Sequence, residues 1–293
     1  MIVYSHKANS PGEEIIPEPE WEYLWMKLVR YRGTALIIGE TDSGKSTLLR
    51  YLIKRLISEC IMVSLVDSDI GQSSLGLPGT VSMKSFTDEN DLDPYLFERM
   101  SFLGTTNPAV IIPTMIETCK RMAEIGRKTS EITLIDTTGL VSGNPGKALK
   151  TGKINAIKPE HIIAIRRGAE LDHILTPITG MNIYRISPAK AVRARSRTAR
   201  IRYRQKRLED YFNRQLFAFT LDEDRAKTFY HALPVSLKEH EFPQGAVIGL
   251  NHYKDTVGLG ILVECTGGSV SFKSPLKSIK GINKVIFGDI KIR

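Results

Sequence analysis

The chain has 293 residues, 42% of them hydrophobic and 25% charged, which is enough to bury a sizeable core as one large domain or two smaller ones. Its formal net charge of +9 favours polyanionic partners. No apolar run approaches the ~20 residues of a helical bilayer span, which argues against a membrane partner. Residues 1–20, with Pro11, Pro17 and Pro19, read as a leader without the apolar core of a signal peptide. The three cysteines, Cys60, Cys119 and Cys265, lie far apart and in no metal-ligand spacing. They read as small buried hydrophobes in a reducing cytoplasm.

Glu20 to Val29 has helical periodicity, and Leu36–Ile38 is an apolar run expected as a buried strand. The segment Thr47–Leu56 predicts an amphipathic helix, and Ile61–Val66 a second strand ending at Asp67-Ser-Asp69-Ile-Gly71-Gln72. Gly76-Leu-Pro-Gly79 is turn chemistry. Leu96–Leu103 is expected as a strand closing on Gly104-Thr105-Thr106-Asn107-Pro108, followed by a helix over 109–127. A short strand, Ile132–Ile135, ends in Asp136-Thr137-Thr138-Gly139; a helix over Asn144–Ile157 and a strand over His161–Ile165 follow. Strands alternating with helices predict an α/β fold of P-loop NTPase type, with a doubly wound parallel sheet whose ligands sit at the strands' carboxyl ends. After about residue 222 short β-type runs separated by glycine predict a small β-rich C-terminal domain over 222–293. Residues 21–221 would then be the nucleotide-binding domain.

Gly39-Glu40-Thr41-Asp42-Ser43-Gly44-Lys45-Ser46 fits the phosphate-binding pattern G-x-x-x-x-G-K-[ST] at every fixed position, with Thr47 opening the helix. Backbone N–H groups of such a loop cradle phosphate oxygens, and the helix N-terminus adds positive potential. Lys45 can reach the β- and γ-phosphates, and Ser46 can ligand Mg²⁺. These residues predict binding of a nucleoside triphosphate, ATP in the first place. A carboxylate at the end of the second strand, Asp67 or Asp69, can orient a hydroxyl nucleophile, accept its proton or hold Mg²⁺ waters. Alone, the pair would be better explained as a solvated strand-to-loop turn; beside a phosphate-binding loop, with Gly71-Gln72 following, the functional reading leads. Asp136 ends another apolar strand, the usual place of a second Mg²⁺-associated carboxylate. Asp136–Gly139 also fits the D-x-x-G pattern of GTPases. The base-reading Asn-Lys-x-Asp element is missing, since the only Asn-Lys pair, Asn283-Lys284, is followed by Val285-Ile286.

Between Arg185 and Arg214 there are nine arginines and two lysines against only Glu209 and Asp210. Arg193, Arg197, Arg200, Arg204 and Arg207 are spaced four, three, four and three apart, so one continuous helix would line them on a single face. A solvated basic face is the plainer reading. Almost no acidic residue stands at i±4, however, so the face repels itself until an anion neutralises it. The segment 188–214 is therefore expected to act as a lid whose arginines meet phosphate. Arg195 and Arg202 point away from that face on an ideal helix.

Taken together these residues resemble the polynucleotide 5′-hydroxyl kinase family, which includes the RNA kinase of pre-mRNA cleavage and tRNA splicing and the rRNA-processing kinases. The resemblance runs from about residue 30 to the C-terminus. Thr41-Asp-Ser-Gly-Lys-Ser-Thr47 is similar to that family's phosphate-binding loop, and Asp67-Ser-Asp69-Ile-Gly71-Gln72 fits its D-x-D-x-G-Q signature in full. Thr137-Thr-Gly139 stands where the family has its T-x-G-W clasp, and Val192-Arg-Ala-Arg195-Ser196-x-x-x-Arg200 resembles its arginine-bearing lid. The resemblance implies transfer of the γ-phosphate of ATP, with Mg²⁺, to the 5′-hydroxyl of single-stranded RNA or DNA. It implies that Lys45 and Ser46 hold triphosphate and metal, beside the Asp136 already read as a metal-associated carboxylate, and that Asp69 activates the hydroxyl, with Asp67 supporting metal or geometry. Gln72, Thr105, Thr106, Thr137, Gly139, Arg193 and Arg197 would meet substrate, and Arg195 and Arg200 the transition state. Two departures stand out. The clasp tryptophan is Leu140 here, and fewer than 40 residues precede the first strand, where eukaryotic relatives carry a β domain that helps hold the nucleobase. The build resembles the compact archaeal or bacterial type, and GTP is expected to serve beside ATP. A catalytically silent ATP-bound scaffold within an RNA-processing complex is the first competing expectation, and a P-loop NTPase switch the second.

Overall fold

The computed structural model describes Ile15, residues 17–92, 97–190 and 192–292. Most of the expected leader and the expected strand start at Leu96 lie outside the described residues. The chain runs α1 (Pro19–Tyr31), β1 (Gly33–Gly39), α2 (Lys45–Ile57), β2 (Val63–Ser68), β3 (Thr80–Phe86), β4 (Arg99–Phe102), α3 (Ile112–Thr129), β5 (Ile132–Thr137), α4 (Gly143–Ile157), β6 (His161–Ile165), α5 (Asp172–Leu175), β7 (Asn182–Ile186) and α6 (Arg197–Phe212). A second series follows: β8 (Phe217–Asp222), β9 (Lys227–Tyr230), β10 (Leu233–Pro234), β11 (Val247–His252), β12 (Asp255–Thr266), β13 (Ser269–Ser274) and β14 (Lys284–Phe287).

The first seven strands form one sheet in the order β4-β3-β2-β5-β1-β6-β7. Its five-strand core is parallel, while β3 and β4 pair antiparallel at one edge. β3 was not expected, although Val81 and Met83 alternate with polar residues and are buried. β1 shows why its sequence is a continuous apolar run: Ala35 and Ile37 pack with one helical layer, Leu36 and Ile38 with the other. On the first side α1 lays Trp21, Leu24 and Leu28 on α2, with the Trp21 and Tyr51 rings 5.4 Å apart. Pro19, assigned to the leader by its composition, is in fact the opening residue of α1, where its missing N–H costs nothing. On the other side α3 and α4 contribute Met115, Cys119, Met122, Leu149 and Ile154. Of the cysteines only Cys119 is buried; Cys60 is exposed and Cys265 half-buried, contrary to the expectation for all three.

The second sheet has the order β10-β9-β14-β11-β12-β13-β8 and starts at Phe217, before the residue 222 expected for a C-terminal domain. It is fastened to the first by a shared apolar seam of Met100, Phe102, Tyr211, Val247, Leu259 and Ile286. Gly249 lets that seam close, because a Cβ there would stand 2.7 Å from Phe102 Cδ1. Arg99 and Arg121 both donate to Asp255, at 2.7 and 2.5 Å. Among the described residues no helix is long and apolar enough to cross a membrane.

Candidate active site

The carboxyl ends of β2, β5 and β1 lie side by side in the parallel sheet, with Asp67 in register with Asp136 and Ser68 with Thr137. The loop after β1 turns through Asp42 (φ 55°) and Gly44 (φ 90°), and Gly44 is the residue from which α2 departs. Lys45 is buried, and its Nζ donates to Gly39 O at 3.0 Å and Glu40 O at 2.6 Å. Burial lowers its pKa, against the opposing pull of Asp136, Asp69, Asp42 and Glu40. Ser46 Oγ donates to Asp136 Oδ2 at 3.1 Å. Burial and the neighbouring Asp67 raise the Asp136 carboxyl to about 7. An alcohol and a carboxylate in this pairing are oxygen donors of the kind a hard divalent cation takes.

The two aspartates after β2 do different things. Asp67 was expected to support metal or geometry, and both its oxygens accept hydrogen bonds from its own loop. Oδ1 accepts from Asp69 N (3.0 Å), and Oδ2 accepts from Ser73 Oγ (2.9 Å), Ser74 N (2.7 Å), Ser74 Oγ (3.2 Å) and Leu75 N (2.9 Å). It is the organiser of its loop, fully buried. Asp67→Ala should therefore act on folding: three backbone N–H groups lose their acceptor, at about 1–3 kcal/mol each before relaxation. A lowered melting temperature checks this, and an unchanged one would refute it. Asp69 is only partly buried, with Oδ1 held by Gly71 N (3.1 Å) and Gln72 N (3.0 Å). No hydrogen bond to its Oδ2 occurs among the described residues. Burial raises its pKa, while Lys45 pulls it back.

Around this centre the expected substrate residues divide. Gly139 is brought against the phosphate loop so tightly that a Cβ would overlap Thr41 Oγ1 and Thr41 N. Gly139→Ala is expected to push the two loops apart and weaken nucleotide binding, measurable by equilibrium dialysis. Thr137, expected to clasp substrate, has no free hydroxyl: Oγ1 donates to Ile37 O (2.7 Å) and accepts from Lys150 Nζ (2.8 Å). Thr105 is likewise withdrawn, fully buried and donating to Asp289 Oδ2 at 2.9 Å. The partly exposed Thr106 does adjoin the Asp69 turn, for its carbonyl would stand 3.5 Å from a Cβ on Gly71. Gln72 Nε2 donates to Gly71 O at 3.0 Å, within that same turn. Leu140 packs onto the α3–α4 apolar layer.

The arginine-rich segment is not one helix. Ser196 caps α6 by accepting from Ala199 N at 3.1 Å, so Arg193 and Arg195 precede the helix, and Arg193 and Arg197 are exposed. Arg200 donates to Asp42 Oδ2 at 2.5 Å, and the same oxygen accepts from Arg195 N at 3.0 Å. The lid is thus closed onto the phosphate loop. Arg207, on the expected basic face, is buried instead and donates to Ser73 O (3.4 Å) and Gly76 O. Sequence reasoning missed three features. Two are the buried Lys150 and Lys153. The third is a cavity of about 400 Å³ at the ends of β6 and β7, lined by Arg166, Arg167 and Arg185 among others. Arg167 ties it to the phosphate loop by donating to Asp42 O at 3.3 Å.

A Gly-Lys-Ser loop between β1 and α2, flanked by an acid-bearing strand on a five-stranded parallel core, defines a P-loop nucleotide-binding protein. Comparison with known proteins narrows this. A family model described as "mRNA cleavage and polyadenylation factor CLP1 P-loop" matches residues 39–214, more than half of the chain, and the chain belongs to that family. It is 36% identical over 196 residues to a polyribonucleotide 5′-hydroxyl-kinase of Pyrococcus horikoshii, covering 65% of this chain and 53% of that one. To the polyribonucleotide 5′-hydroxyl-kinase of Pyrococcus furiosus it is 34% identical over 214 residues, covering 71% and 59%. The chain therefore spans a little over half the length of these relatives. In fold it is similar to Clp1p solved in a Clp1p–Pcf11p complex, with a TM-score of 0.73, 13% identity, and coverage of 93% of this chain and 79% of that one.

Proposed function

We propose that the chain is an ATP-dependent polynucleotide 5′-hydroxyl kinase, with single-stranded RNA or DNA 5′ ends as acceptors and GTP as an additional donor. The observation that carries the reading is the lone uncommitted oxygen of Asp69, beside Lys45 at the end of the strand next but one to the phosphate loop. The relatives' names, which specify a 5′-hydroxyl of polyribonucleotide, support the acceptor. The sheet order supports the geometry: Asp69 and the loop around Thr106 flank β1 on one side, and the arginine-lined cavity flanks it on the other. Acceptor and donor nucleoside would then approach the γ-phosphate from opposite sides, as in-line displacement requires.

In this mechanism the loop's N–H groups and Lys45 grip the β- and γ-phosphates. Lys45 exchanges its present carbonyl partners for phosphate oxygens. The 5′-oxygen attacks the γ-phosphorus, the bond from that phosphorus to the β–γ bridging oxygen breaks, and the hydroxyl proton passes to Asp69. The raised pKa of Asp69 makes it a better proton acceptor than an ordinary carboxylate. Arg200 is poised to exchange Asp42 for the charge that develops on the transferring group; Arg195, tied to the same oxygen by its backbone N–H and with its guanidinium 5.8 Å from the Tyr203 ring, would join it from the lid. Ser46 and Asp136 would hold Mg²⁺, which when bound supplies further neutralisation of the phosphates. Asp67 supports this by holding the Asp69 turn, not by ligating metal.

The test is incubation with γ-labelled ATP or GTP and matched 5′-hydroxyl RNA and DNA oligonucleotides. Label should appear on the 5′ end, and Lys45→Ala should reduce it by about 100- to 1,000-fold. ATP retained intact with no transfer to any oligonucleotide would point to a scaffold in an RNA-processing assembly. Hydrolysis that proceeds without an acceptor would point to a switch.

A further inference from the structure

Lys150 and Lys153 on α4 are both fully buried, a rare condition for lysine, which is normally buried only when paired. Their partners here are neutral oxygens. Lys150 Nζ lies 2.8 Å from Thr137 Oγ1, 2.5 Å from Thr138 O and 3.4 Å from Thr138 Oγ1. Thr137 Oγ1 already gives its proton to Ile37 O, so toward Lys150 it must accept. A carbonyl can only accept. Lys150 therefore donates to both Thr137 Oγ1 and Thr138 O, which fixes where its Nζ stands. Lys153 Nζ donates to Ser68 Oγ at 2.7 Å, and Ser68 passes its own proton to Asp136 O at 2.5 Å. Burial lowers both lysines' pKa values; Lys153 and Lys45 push Lys150 down further, well below the usual lysine range, while Asp69 and Asp136 oppose the shift in both.

A methionine or leucine would fill these two places without the desolvation cost of a charge. The two amines stand where the ends of β1, β2 and β5 converge. One bonds the loop that carries Gly139 to Thr41, and the other bonds the residue next to Asp69. We propose that Lys150 and Lys153 are positioning residues for phosphoryl transfer. Lys150 would fix Thr137–Gly139 against the phosphate loop, and Lys153 would fix the Ser68 end of β2 that aims Asp69. The proposal rests on the kinase reading above. Neither lysine touches substrate; both act through the threonine and serine groups they hold.

The experiment compares wild type with Lys150→Met, Lys150→Gln and Lys153→Met. Three readouts are taken on the full chain: melting temperature, ATP affinity by equilibrium dialysis, and single-turnover transfer to a 5′-hydroxyl RNA oligonucleotide at saturating ATP and acceptor. The expected result is a transfer rate lower by about 100-fold, the scale of an ångström-sized misplacement, with melting temperature close to wild type in all three variants and ATP affinity close to wild type in Lys153→Met. In the Lys150 variants affinity falls by less than the rate, because the Gly139 loop packs on Thr41. Lys150→Gln keeps N–H donors without the charge, so it should recover part of the rate lost in Lys150→Met. It also serves if the methionine variant does not fold. Unchanged transfer in the folded variants overturns the proposal. So does a parallel fall of melting temperature, affinity and rate, or failure of all three variants to fold, which would assign the lysines to folding alone. Absence of transfer by the wild type is a different result: it removes the kinase reading and the positioning role with it.

Discussion

Arg200→Ala should slow transfer to a 5′-hydroxyl by about 10³–10⁵-fold, the range measured for arginines that meet a transferring phosphoryl group. Arg200 stands in the first turn of α6, its guanidinium on Asp42 at 2.5 Å and its buried Nε without a partner. Asp42 is a carboxylate inside a loop built for anions, so its hold on Arg200 is a contact that phosphate oxygens can take over. ATP affinity should move little, because the loop amides and Lys45 remain. Single-turnover transfer measured beside equilibrium nucleotide binding separates the two effects. A rate within a few-fold of wild type would remove Arg200 from the transition state and leave it as a lid fastener.

The second large effect is expected for Asp69→Asn, about 10²–10⁴-fold on the transfer rate with nucleotide binding retained. The substitution is conservative by design. An amide oxygen can take over the bonds from Gly71 N and Gln72 N that orient the side chain, while the amide nitrogen cannot receive a proton. Because burial raises the Asp69 pKa, the wild-type rate should fall on acidification from a higher pH than an ordinary carboxylate would give. The variant should lose that limb of the profile. The same shift has a stability sign. A folded pKa above the unfolded one stabilises the fold fully below the unfolded pKa, and this contribution is lost as pH rises through the folded value. Asp69→Asn should therefore gain a little stability relative to wild type at neutral pH. A variant that transfers at wild-type rate would show that the proton leaves by another route.

The phosphate loop, the Asp69 turn and the alternation of strands and helices were legible because each is written in consecutive residues. Fixed spacing in Gly39–Ser46 is a local property, and so is the apolar run of β1. What was illegible depended on partners far along the chain. Nothing near Thr105 announces Asp289, and nothing near Thr137 announces Lys150. Threonines beside a phosphate loop were therefore read as free when their hydroxyls were already committed. Asp67 and Asp69 look equivalent in sequence; only the fold of residues 73–75 back onto β2 tells the organiser from the acid with an oxygen to spare. The buried lysines did leave a trace. Lys150, Lys153, Ile154 and Ile157 recur at helical spacing, so the cations are in phase with the apolar stripe and not with the polar face. Arg207 carries the opposite lesson: continuing a basic periodicity placed it among ligand-seeking arginines, yet it is buried and donates to two carbonyls of the Asp67 loop and to Tyr203 Oη.

The anchoring of α6 has a mechanical consequence. Its C-terminal end is pinned twice, by Arg207 to the loop after β2 and by Tyr211, whose hydroxyl receives the Leu259 N–H at 2.8 Å in the second sheet. Toward its N-terminus it is held by Asp42, at Arg200, and one turn further on by Tyr203, whose hydroxyl donates to Ser73 O at 2.9 Å. The helix is therefore a lever with its fulcrum in the seam between the sheets. At about 1.5 Å of rise per residue, Arg200 rides roughly 10 Å from the Arg207 pivot, so a swing of about 30° carries it roughly 5 Å. Release of the Asp42 contact together with the Tyr203 bond to Ser73 would open the space beneath the arm to a strand end.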